Sequence, residues 1–525
     1  MSEGKKAARA AGKVSLAVMT SRILGLVRDQ FFAGLFGAGL YNDAWLVALR
    51  IPNMLRDLFA EGALSAAFVP TFTRFLKGEG RKEAFYLANL VTGGLLVLLG
   101  ILTLLLFFFS ESFVSLLAAG FSDVEGKVEI TSNLLKIVSP FLMLLALASV
   151  AAGMLNTLDH FFIPALAPAI YNVSLILAAI FLVPRFEESG LITIYAMGFG
   201  ALIGGFLQYG ILLYVLRKEG YRPRFRINFS HPGIRRIGRL IGPAIIGVSA
   251  VQLSVLINTQ IASFLDENGP VSWLSYAFRI FYLPIGLFGV AVGVVNLRDV
   301  SAHAAEGRIE ELKETVANSF KMVGFMAIPS SVGLLILSRP IVDVLFERGG
   351  FTPMDTVYTS YAVMGYALGL VAYSANKVFV PTYYALGDTR TPVKISILAV
   401  VGNICMSILL VLVLPADIRF VGLALGTSFS ALLNSGLLAS GLIRRLGKFS
   451  QFEVAVTIAK VVILSALMGL VVFFLQTSIE DRMGDMGLLD EIWTLALAVG
   501  AGIAVFFTGA WLLRIKEFDY LLPRR

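Results

Sequence analysis

The chain has 525 residues, of which 57% are hydrophobic and 15% are charged, and this composition excludes an ordinary soluble domain. The formal net charge of +8 does not indicate nucleic-acid binding, because the basic residues lie in short connections between apolar runs. With one cysteine and three scattered histidines, neither a disulfide framework nor a metal centre is expected. The sequence therefore predicts an all-α polytopic membrane protein without a cofactor.

Apolar runs of about 20 residues, the length needed to cross a bilayer, predict fourteen transmembrane helices. The predicted spans are 14–36, 42–72, 86–109, 131–155, 163–183, 191–216, 236–264, 271–297, 316–337, 357–385, 393–414, 419–443, 453–475 and 490–513. An even number of spans returns both termini to one side of the membrane. Lys and Arg residues concentrate in the termini and in alternate loops, so the positive-inside rule predicts that both termini are cytoplasmic.

The first two predicted spans carry charged residues that a lipid-facing helix would not keep. A charged side chain at the bilayer centre costs about 2.5 to 3.5 kcal/mol even on insertion scales. The charges are Arg22, Arg28 and Asp29 in the first span, and Asp43, Arg50, Arg56, Asp57 and Glu61 in the second. They are therefore predicted to face a shared, hydrated cavity, the alternative being that they form internal ion pairs that only hold helices together.

Helical spacing supports one polar face on each of these helices. At about 100° per residue, Arg22 and Asp29 share a face. Pro52 is expected to kink the second helix in mid-span. The second polar face would contain Asp43, Arg50 and Asp57, with Asn53 beside them.

An internal repeat appears when the two halves of the chain are offset by 229 residues. Ala48-Leu49-Arg50-Ile51 then falls on Ala277-Phe278-Arg279-Ile280, and Asp159 falls on Asp388. With one further residue, Gly120-Phe121 falls on Gly350-Phe351. The repeat predicts two six-helix lobes related by a pseudo-twofold axis, 1–220 and 221–450, followed by two extra helices in 451–525.

The charges of the first helix have no counterparts in the second half. The offset places Arg22, Arg28 and Asp29 on Val251, Ile257 and Asn258. Charges that only support the fold would more naturally recur in both halves, so this asymmetry favours a ligand-binding role. Arg279 is the main cation of the second half, and Lys377 is a further candidate.

Four segments closely resemble the MurJ (MviN) family of lipid II flippases. They are SRILGLVRD at 21–29, DAWLVALRIPNMLRDLFAEGALSAAFVP at 43–70, ERGGFTPMDT at 347–356 and YYALGDTRTP at 383–392. The resemblance spans nearly the whole chain and implies the fold of the MOP exporter superfamily. It also implies that the protein carries lipid II, the undecaprenyl-diphosphate-linked peptidoglycan precursor, across the bacterial inner membrane for cell wall synthesis and cell shape.

The resemblance assigns site residues as well. The family's cavity positions match here at Arg22, Arg28, Asp29, Asp43, Asn53, Arg56, Glu61 and Arg279. Because arginine forks bind phosphate oxygens with paired, charge-assisted hydrogen bonds, the four arginines are expected to bind the diphosphate. Roles in cavity ion pairs or gating are expected for Asp29, Asp43, Asn53 and Glu61. The polyprenyl tail is expected to follow a groove along the two extra helices.

The chain departs from the family in two places. Many members have an acid three residues after the arginine of helix eight, where this chain has Tyr282. Some members are thought to bind sodium with acids on helices seven and eleven. Here helix seven has no acid, and helix eleven offers Asn403 and Ser407, so a sodium site of that kind is not expected.

The expected partners are lipid II and membrane lipids, with other peptidoglycan-synthesis proteins as further candidates, and a monomer is expected. Alternative functions are export of another lipid-linked oligosaccharide or of drugs, or a non-transporting membrane scaffold for wall synthesis. Drug exporters of this superfamily usually take cations, so the excess of arginine argues against one. An enzyme is not expected, since the sequence has no nucleotide-binding loop, metal cluster or nucleophile triad.

The predicted topology can be tested with single cysteines introduced into a Cys405→Ser background. A cysteine at Glu125 should react with an impermeant thiol reagent in intact spheroplasts, because this loop is predicted to face outward. A cysteine at Arg224 should react only after the cells are opened. Labelling at Arg224 in intact spheroplasts would contradict the fourteen-span topology.

Overall fold

The computed structural model describes residues 3–56, 63–265, 269–447, 451–483 and 487–519. The side chains of 3–13, 55–56, 63, 65–66, 242–251, 290–291, 294, 451 and 480–483 are outside this description, as are Asp57 and Glu61. Within the described ranges the regular secondary structure is helical. The prediction of an all-α protein is confirmed for this part of the chain.

The chain divides into two compact units. Unit 1 comprises Met1–Gly269 and Arg348–Phe351, and unit 2 comprises Pro270–Glu347 and Thr352–Arg525. The described α-helices of unit 1 are α1 (Glu3–Phe36), α2 (Leu40–Ala48), α3 (Arg50–Arg56), α4 (Ala63–Gly78), α5 (Arg81–Phe108), α6 (Ser110–Leu117), α7 (Lys127–Thr157), α8 (Phe162–Leu177), α9 (Val183–Glu188), α10 (Ile194–Lys218) and α11 (Pro232–Ser263). A π-helical turn, Ala178–Leu182, joins α8 to α9.

Unit 2 contains the remaining helices. In the described residues these are α12 (Pro270–Pro284), α13 (Val290–Ala305), α14 (Ile309–Phe346), α15 (Pro353–Ala367), α16 (Leu370–Ala385), α17 (Arg390–Val413), α18 (Val421–Leu446), α19 (Gln451–Met483), α20 (Leu488–Leu512) and α21 (Lys516–Asp519). The predicted lobe boundary at 220 follows the repeat. The compact units divide the chain at a different point, because α11 belongs to unit 1. The lobe boundary at 220 remains a prediction.

Each of the fourteen predicted spans coincides with a helix or with consecutive helices. In the described residues, 10 helices are long and apolar enough to cross a membrane, or 11 if the α15–α16 pair, bent by 43°, counts as one. The other predicted spans are 14–36, which carries charges, 42–72, which is interrupted, and 236–264, whose side chains are described only in part. The protein is therefore a helical polytopic membrane protein with about ten spans on these criteria.

The second predicted span is interrupted near Pro52. Helix α2 ends at Ala48, Leu49 is a turn residue, and α3 begins at Arg50. Pro52 has no N–H to donate to the carbonyl of Ala48, so a regular α-helix cannot pass through this point with all its hydrogen bonds. The irregularity predicted at Pro52 agrees with this one-residue interruption, after which helical spacing no longer places Asp43 and Arg50 on one face.

Two glycine contacts in unit 1 follow the predicted repeat. Gly120 approaches the end of α11 so closely that a Cβ would lie 2.2 Å from the carbonyl oxygen of Ser263. Gly350 donates its N–H to the carbonyl of Gly34 on α1 at 2.7 Å. Residue numbers 34 and 263 differ by 229, and 120 and 350 differ by 230. The two contacts are therefore related by offsets of 229 and 230 residues, the two offsets of the predicted repeat.

The last two long helices pack against α14. Phe325 and Leu337 of α14 share an apolar cluster with Val461 and Leu464 of α19, and the rings of Phe325 and Phe506 of α20 lie 5.1 Å apart. A buried ion pair reinforces this attachment, because Lys321 of α14 lies 3.5 Å from Glu517 of α21. Apolar packing and one ion pair thus hold the extra helices to unit 2.

The turn between α16 and α17 is organised by Asp388. Its carboxylate accepts hydrogen bonds from the backbone N–H of Thr391 at 3.0 Å, from the Thr391 hydroxyl at 2.8 Å and from the N–H of Arg390 at 3.1 Å, and Arg445 of α18 pairs with it at 2.9 Å. The bonds from Thr391 are the main reason that the pKa of Asp388 lies below its ordinary value.

A depressed pKa makes the stability contribution of Asp388 pH-dependent. The charged carboxylate stabilises the folded protein above its ordinary pKa, and this contribution is lost as the pH falls through the lower pKa of the folded state. At pH 7, Asp388→Asn should cost about 1 kcal/mol and lower the midpoint of thermal unfolding in detergent. The difference from the parent should shrink below about pH 4. Asp417→Asn, at an exposed carboxylate, is the control, and an unchanged midpoint for Asp388→Asn would refute this role.

Candidate functional site

Arg28 lies where α1 packs on α8. Its Nε and Nη2 atoms donate to Oδ1 of Asp29 at 3.0 and 2.7 Å, and its Nη1 donates to Oδ1 of Asn172 on α8 at 2.9 Å. The Arg28 and Asp29 side chains are 19% and 10% exposed. The structure thus brings two predicted site residues together, and both keep a small accessible edge.

Arg22 lies on the same helix, nearly two turns earlier, and is exposed. In the described part of the chain no hydrogen bond or ion pair to its guanidinium is found. An arginine within an otherwise apolar segment gains little from lipid, so its charge favours water or an anion. The Arg22 side chain is therefore an exposed cation on α1.

The Asp43 side chain is buried inside unit 1. Lys127, the first residue of α7, places its Nζ 2.9 Å from Oδ2 of Asp43, and the two side chains are 2% and 1% exposed. The same oxygen accepts the N–H of Gly269 at 3.3 Å, and the Lys127 ammonium also lies 4.3 Å from the centre of the Phe121 ring. Asp43 is thus a buried member of an ion pair.

The remaining predicted residues of the first half are less fully described. Asn53 is half-buried in α3, and its backbone N–H bonds to the carbonyl of Leu49 at 2.9 Å. Arg56 is the last residue of α3, but its side chain is outside the described set, and Glu61 lies outside the described residues altogether. The roles of Arg56 and Glu61 therefore remain predictions.

In unit 2, Arg279 is half-buried on α12 beside an aromatic group. Tyr282, which stands where many family members have an acid, stacks on Phe278 at 6.0 Å and meets Tyr373 of α16 edge-on at 6.4 Å. The Lys377 ammonium lies 5.9 Å from the centre of the Tyr373 ring. Aromatic side chains therefore occupy the position of the missing acid.

Sequence reasoning missed two partners of the predicted residues, Lys127 and Asn172. Asn172 could have been found, because it is a polar residue in an apolar run. Lys127 carried a weaker signal. It was assigned to a loop before a helix predicted to begin at 131, and nothing in the sequence links it to Asp43.

These features define the class of protein. Long helices that cross a membrane, intramembrane arginines and no nucleophile triad in the sequence are typical of a transporter rather than an enzyme. A solved inward-facing multidrug resistance MATE transporter of the MOP superfamily shares the fold, with a TM-score of 0.68 at 14% identity over 85% of this chain and 98% of that chain. The chain therefore has the fold of that MATE transporter.

The particular family follows from closer relatives. The family described as "Lipid II flippase MurJ" matches residues 32–490. A probable lipid II flippase MurJ of Vibrio cholerae is 35% identical over 515 residues, 96% of each chain, and a lipid II flippase MurJ of Burkholderia cenocepacia is 32% identical over 518 residues, 97% of this chain and 98% of the relative. A solved lipid II flippase MurJ in an inward closed conformation has a TM-score of 0.79 at 28% identity, covering 95% of this chain and 98% of that one. This chain belongs to the MurJ lipid II flippase family.

The buried pair of Asp43 and Lys127 generates a stability prediction. Removing one partner leaves an uncompensated buried charge, which typically costs about 3 to 5 kcal/mol, so Lys127→Met should sharply reduce the yield of monodisperse protein in detergent. The double variant Lys127→Met with Asp43→Asn removes both charges and should recover much of that yield. Lys82→Met, at an exposed lysine, is the control. A double variant as unstable as the single one would contradict an ion-pair role.

Proposed function

We propose that this chain moves lipid II from the cytoplasmic to the outer leaflet of the bacterial inner membrane by alternating access. Membership in the MurJ family supports the substrate. The observation that carries the proposal at the level of residues is the setting of Arg28, whose guanidinium donates to Asp29 of α1 and to Asn172 of α8 while the side chain stays 19% exposed. A fixed, partly exposed cation is what an anionic headgroup needs in a medium of low dielectric constant.

The diphosphate of the substrate is proposed to bind Arg22, Arg28, Arg56 and Arg279. Guanidinium groups offer paired donors that match phosphate oxygens, and the charge on both groups strengthens each hydrogen bond. Asp29 orients Arg28 in this proposal, as its ion pair at 2.7 Å supports. Asp43, Asn53 and Glu61 are proposed to act in pairing or gating, with Asp43 doing so through Lys127.

The polyprenyl tail is proposed to run along α19 and α20. One face of this pair packs on α14, and large apolar side chains remain exposed elsewhere on both helices. Phe474 of α19 and Trp493 of α20 are 63% and 68% exposed. A long hydrocarbon chain placed there would stay out of a hydrated cavity and avoid the cost of exposing it to water.

The membrane arrangement is proposed to be fourteen spans with both termini in the cytoplasm. The basic connection between α10 and α11 supports this orientation, because its arginines are exposed and positive loops stay on the cytoplasmic side. The protein is proposed to work as a monomer with membrane lipids around it, and other peptidoglycan-synthesis proteins are candidate partners.

Complementation tests the function as a whole. The chain should restore growth of a bacterium depleted of its own lipid II flippase, and the inner-leaflet accumulation of lipid II should disappear. Growth without this chain's expression serves as the baseline. A folded, membrane-inserted protein that leaves lipid II on the inner leaflet would contradict the proposed substrate and direction.

Substitutions at Arg28 separate ligand binding from structural support. Arg28→Lys keeps the charge but loses the planar, two-point contact, so transport should fall at least about tenfold while protein yield stays normal. Arg28→Ala with Asp29→Ala removes both members of the pair and should give folded but inactive protein. Transport would be assayed in proteoliposomes, with Arg185→Ala at an exposed arginine as the control.

The opposite result has a clear meaning. If the double variant transports lipid II normally, Arg28 and Asp29 only support the fold. Arg279→Ala tests the second half of the proposal in the same assay, and normal transport by a stable Arg279→Ala protein would remove Arg279 from the diphosphate site.

A further inference from the structure

The Asn172 side chain joins α8 to α1 at two points. Its Nδ2 donates to the backbone carbonyl of Ser21 at 3.0 Å, and its Oδ1 accepts from Nη1 of Arg28 at 2.9 Å. The amide passes over Gly25, where an added Cβ would lie 3.6 Å from Nδ2. Asn172 itself is 7% exposed. It therefore spans nearly two turns of α1 from a buried position on the neighbouring helix.

The two ends of this amide cannot be exchanged. Arginine has donors only, so the end that faces Arg28 must be the carbonyl oxygen. The Ser21 carbonyl only accepts, so the end that faces it must be the NH₂ group. A flipped amide would set two donors against each other and two acceptors against each other. The bond to Ser21 thus fixes the direction in which Oδ1 points at Arg28.

Asp29 by itself does not fix the plane of the Arg28 guanidinium. The Nε and Nη2 atoms of Arg28, on one edge of the guanidinium, both donate to the same oxygen of Asp29, Oδ1. Asn172 holds Nη1 from a different helix. Contacts from two elements fix the plane of the guanidinium, which two-point recognition of phosphate requires.

The chemistry of an amide suits this task. Arg28 and Asp29 together carry no net charge, and a second carboxylate would make the group negative and repel a diphosphate. An amide supplies an acceptor for Arg28 without adding charge.

We propose that Asn172 is a positioning residue that sets the guanidinium plane of Arg28 for the oxyanions of the substrate's diphosphate. This inference rests on the proposed role of Arg28. Asn172 acts through Arg28 and makes no contact with the substrate itself.

The test is a double-mutant cycle on the purified full-length protein, with undecaprenyl diphosphate as the probe and its dissociation constant as the readout. Asn172→Leu removes the acceptor at nearly constant volume and should weaken binding about tenfold, as the loss of one hydrogen bond to a charged group would. In the Arg28→Ala background the same change should have no further effect. In the Arg279→Ala background the tenfold loss should persist.

Asn403→Leu is the matched control. Asn403 is a buried asparagine on α17 of unit 2, and its Nδ2 donates to the Thr427 hydroxyl at 3.4 Å. It should not change the dissociation constant. If Asn172→Leu gives too little folded protein, Asn172→Gln replaces it in the cycle, because the extra methylene moves the acceptor while keeping the amide.

The outcomes separate this inference from the proposed function. If Arg28→Ala binds the probe as tightly as the parent, the proposed role of Arg28 is wrong, and the inference falls with it. If Arg28→Ala weakens binding but the Asn172 change has no effect, or has the same effect in both backgrounds, only the inference is overturned. Equal losses in both backgrounds are what a purely structural asparagine would produce.

Discussion

The cost of leaving a charge without a partner inside a membrane protein is the constraint on which this structure depends. Lys127 of α7 meets Asp43 of α2, and Lys321 of α14 meets Glu517 of α21. Each pair joins elements that are far apart in sequence, so each charge can be satisfied only if the helices pack correctly. Apolar packing brings such helices together with little directional preference, whereas the pairs specify which helix faces which. Charged side chains that would be energetically costly in contact with lipid thereby help to specify the fold.

The same constraint separates structural charges from functional ones. Lys127 and Asp43 are closed to solvent, and the ammonium gains a further contact with the Phe121 ring, so nothing else needs to bind there. Arg28 is different because its side chain is 19% exposed, although Asp29 and Asn172 both bind it. Arg22 is exposed on the same helix. The described cations of unit 1 therefore differ in their exposure, and the proposed diphosphate site uses the more exposed ones.

The sequence predicted the helices well because length and hydropathy decide whether a segment can cross a bilayer, and both are local properties. Through Pro52 it also indicated an irregularity in the second span, but not that one helix ends at Ala48 and the next begins at Arg50. The sequence pointed to Arg28 and Asp29 as candidate site residues, because charged residues stand out within an apolar run. It could not pair Asp43 with Lys127, because that contact depends on how α2 packs on α7. The direction of the Asn172 amide was equally hidden, because it is set by a carbonyl on another helix.

The glycine contacts in unit 1 bear on how this chain could be divided experimentally. Gly120 meets the end of α11, which lies beyond residue 220, and Gly350 meets α1 from much later in the chain. A fragment cut at the repeat boundary would lose the Ser263 hydroxyl that accepts the N–H of Gly120 at 3.2 Å, and would expose a surface shaped for close backbone approach. Residues 1–220 alone would therefore lack contacts that unit 1 makes, and a fragment of the first half should extend to Gly269.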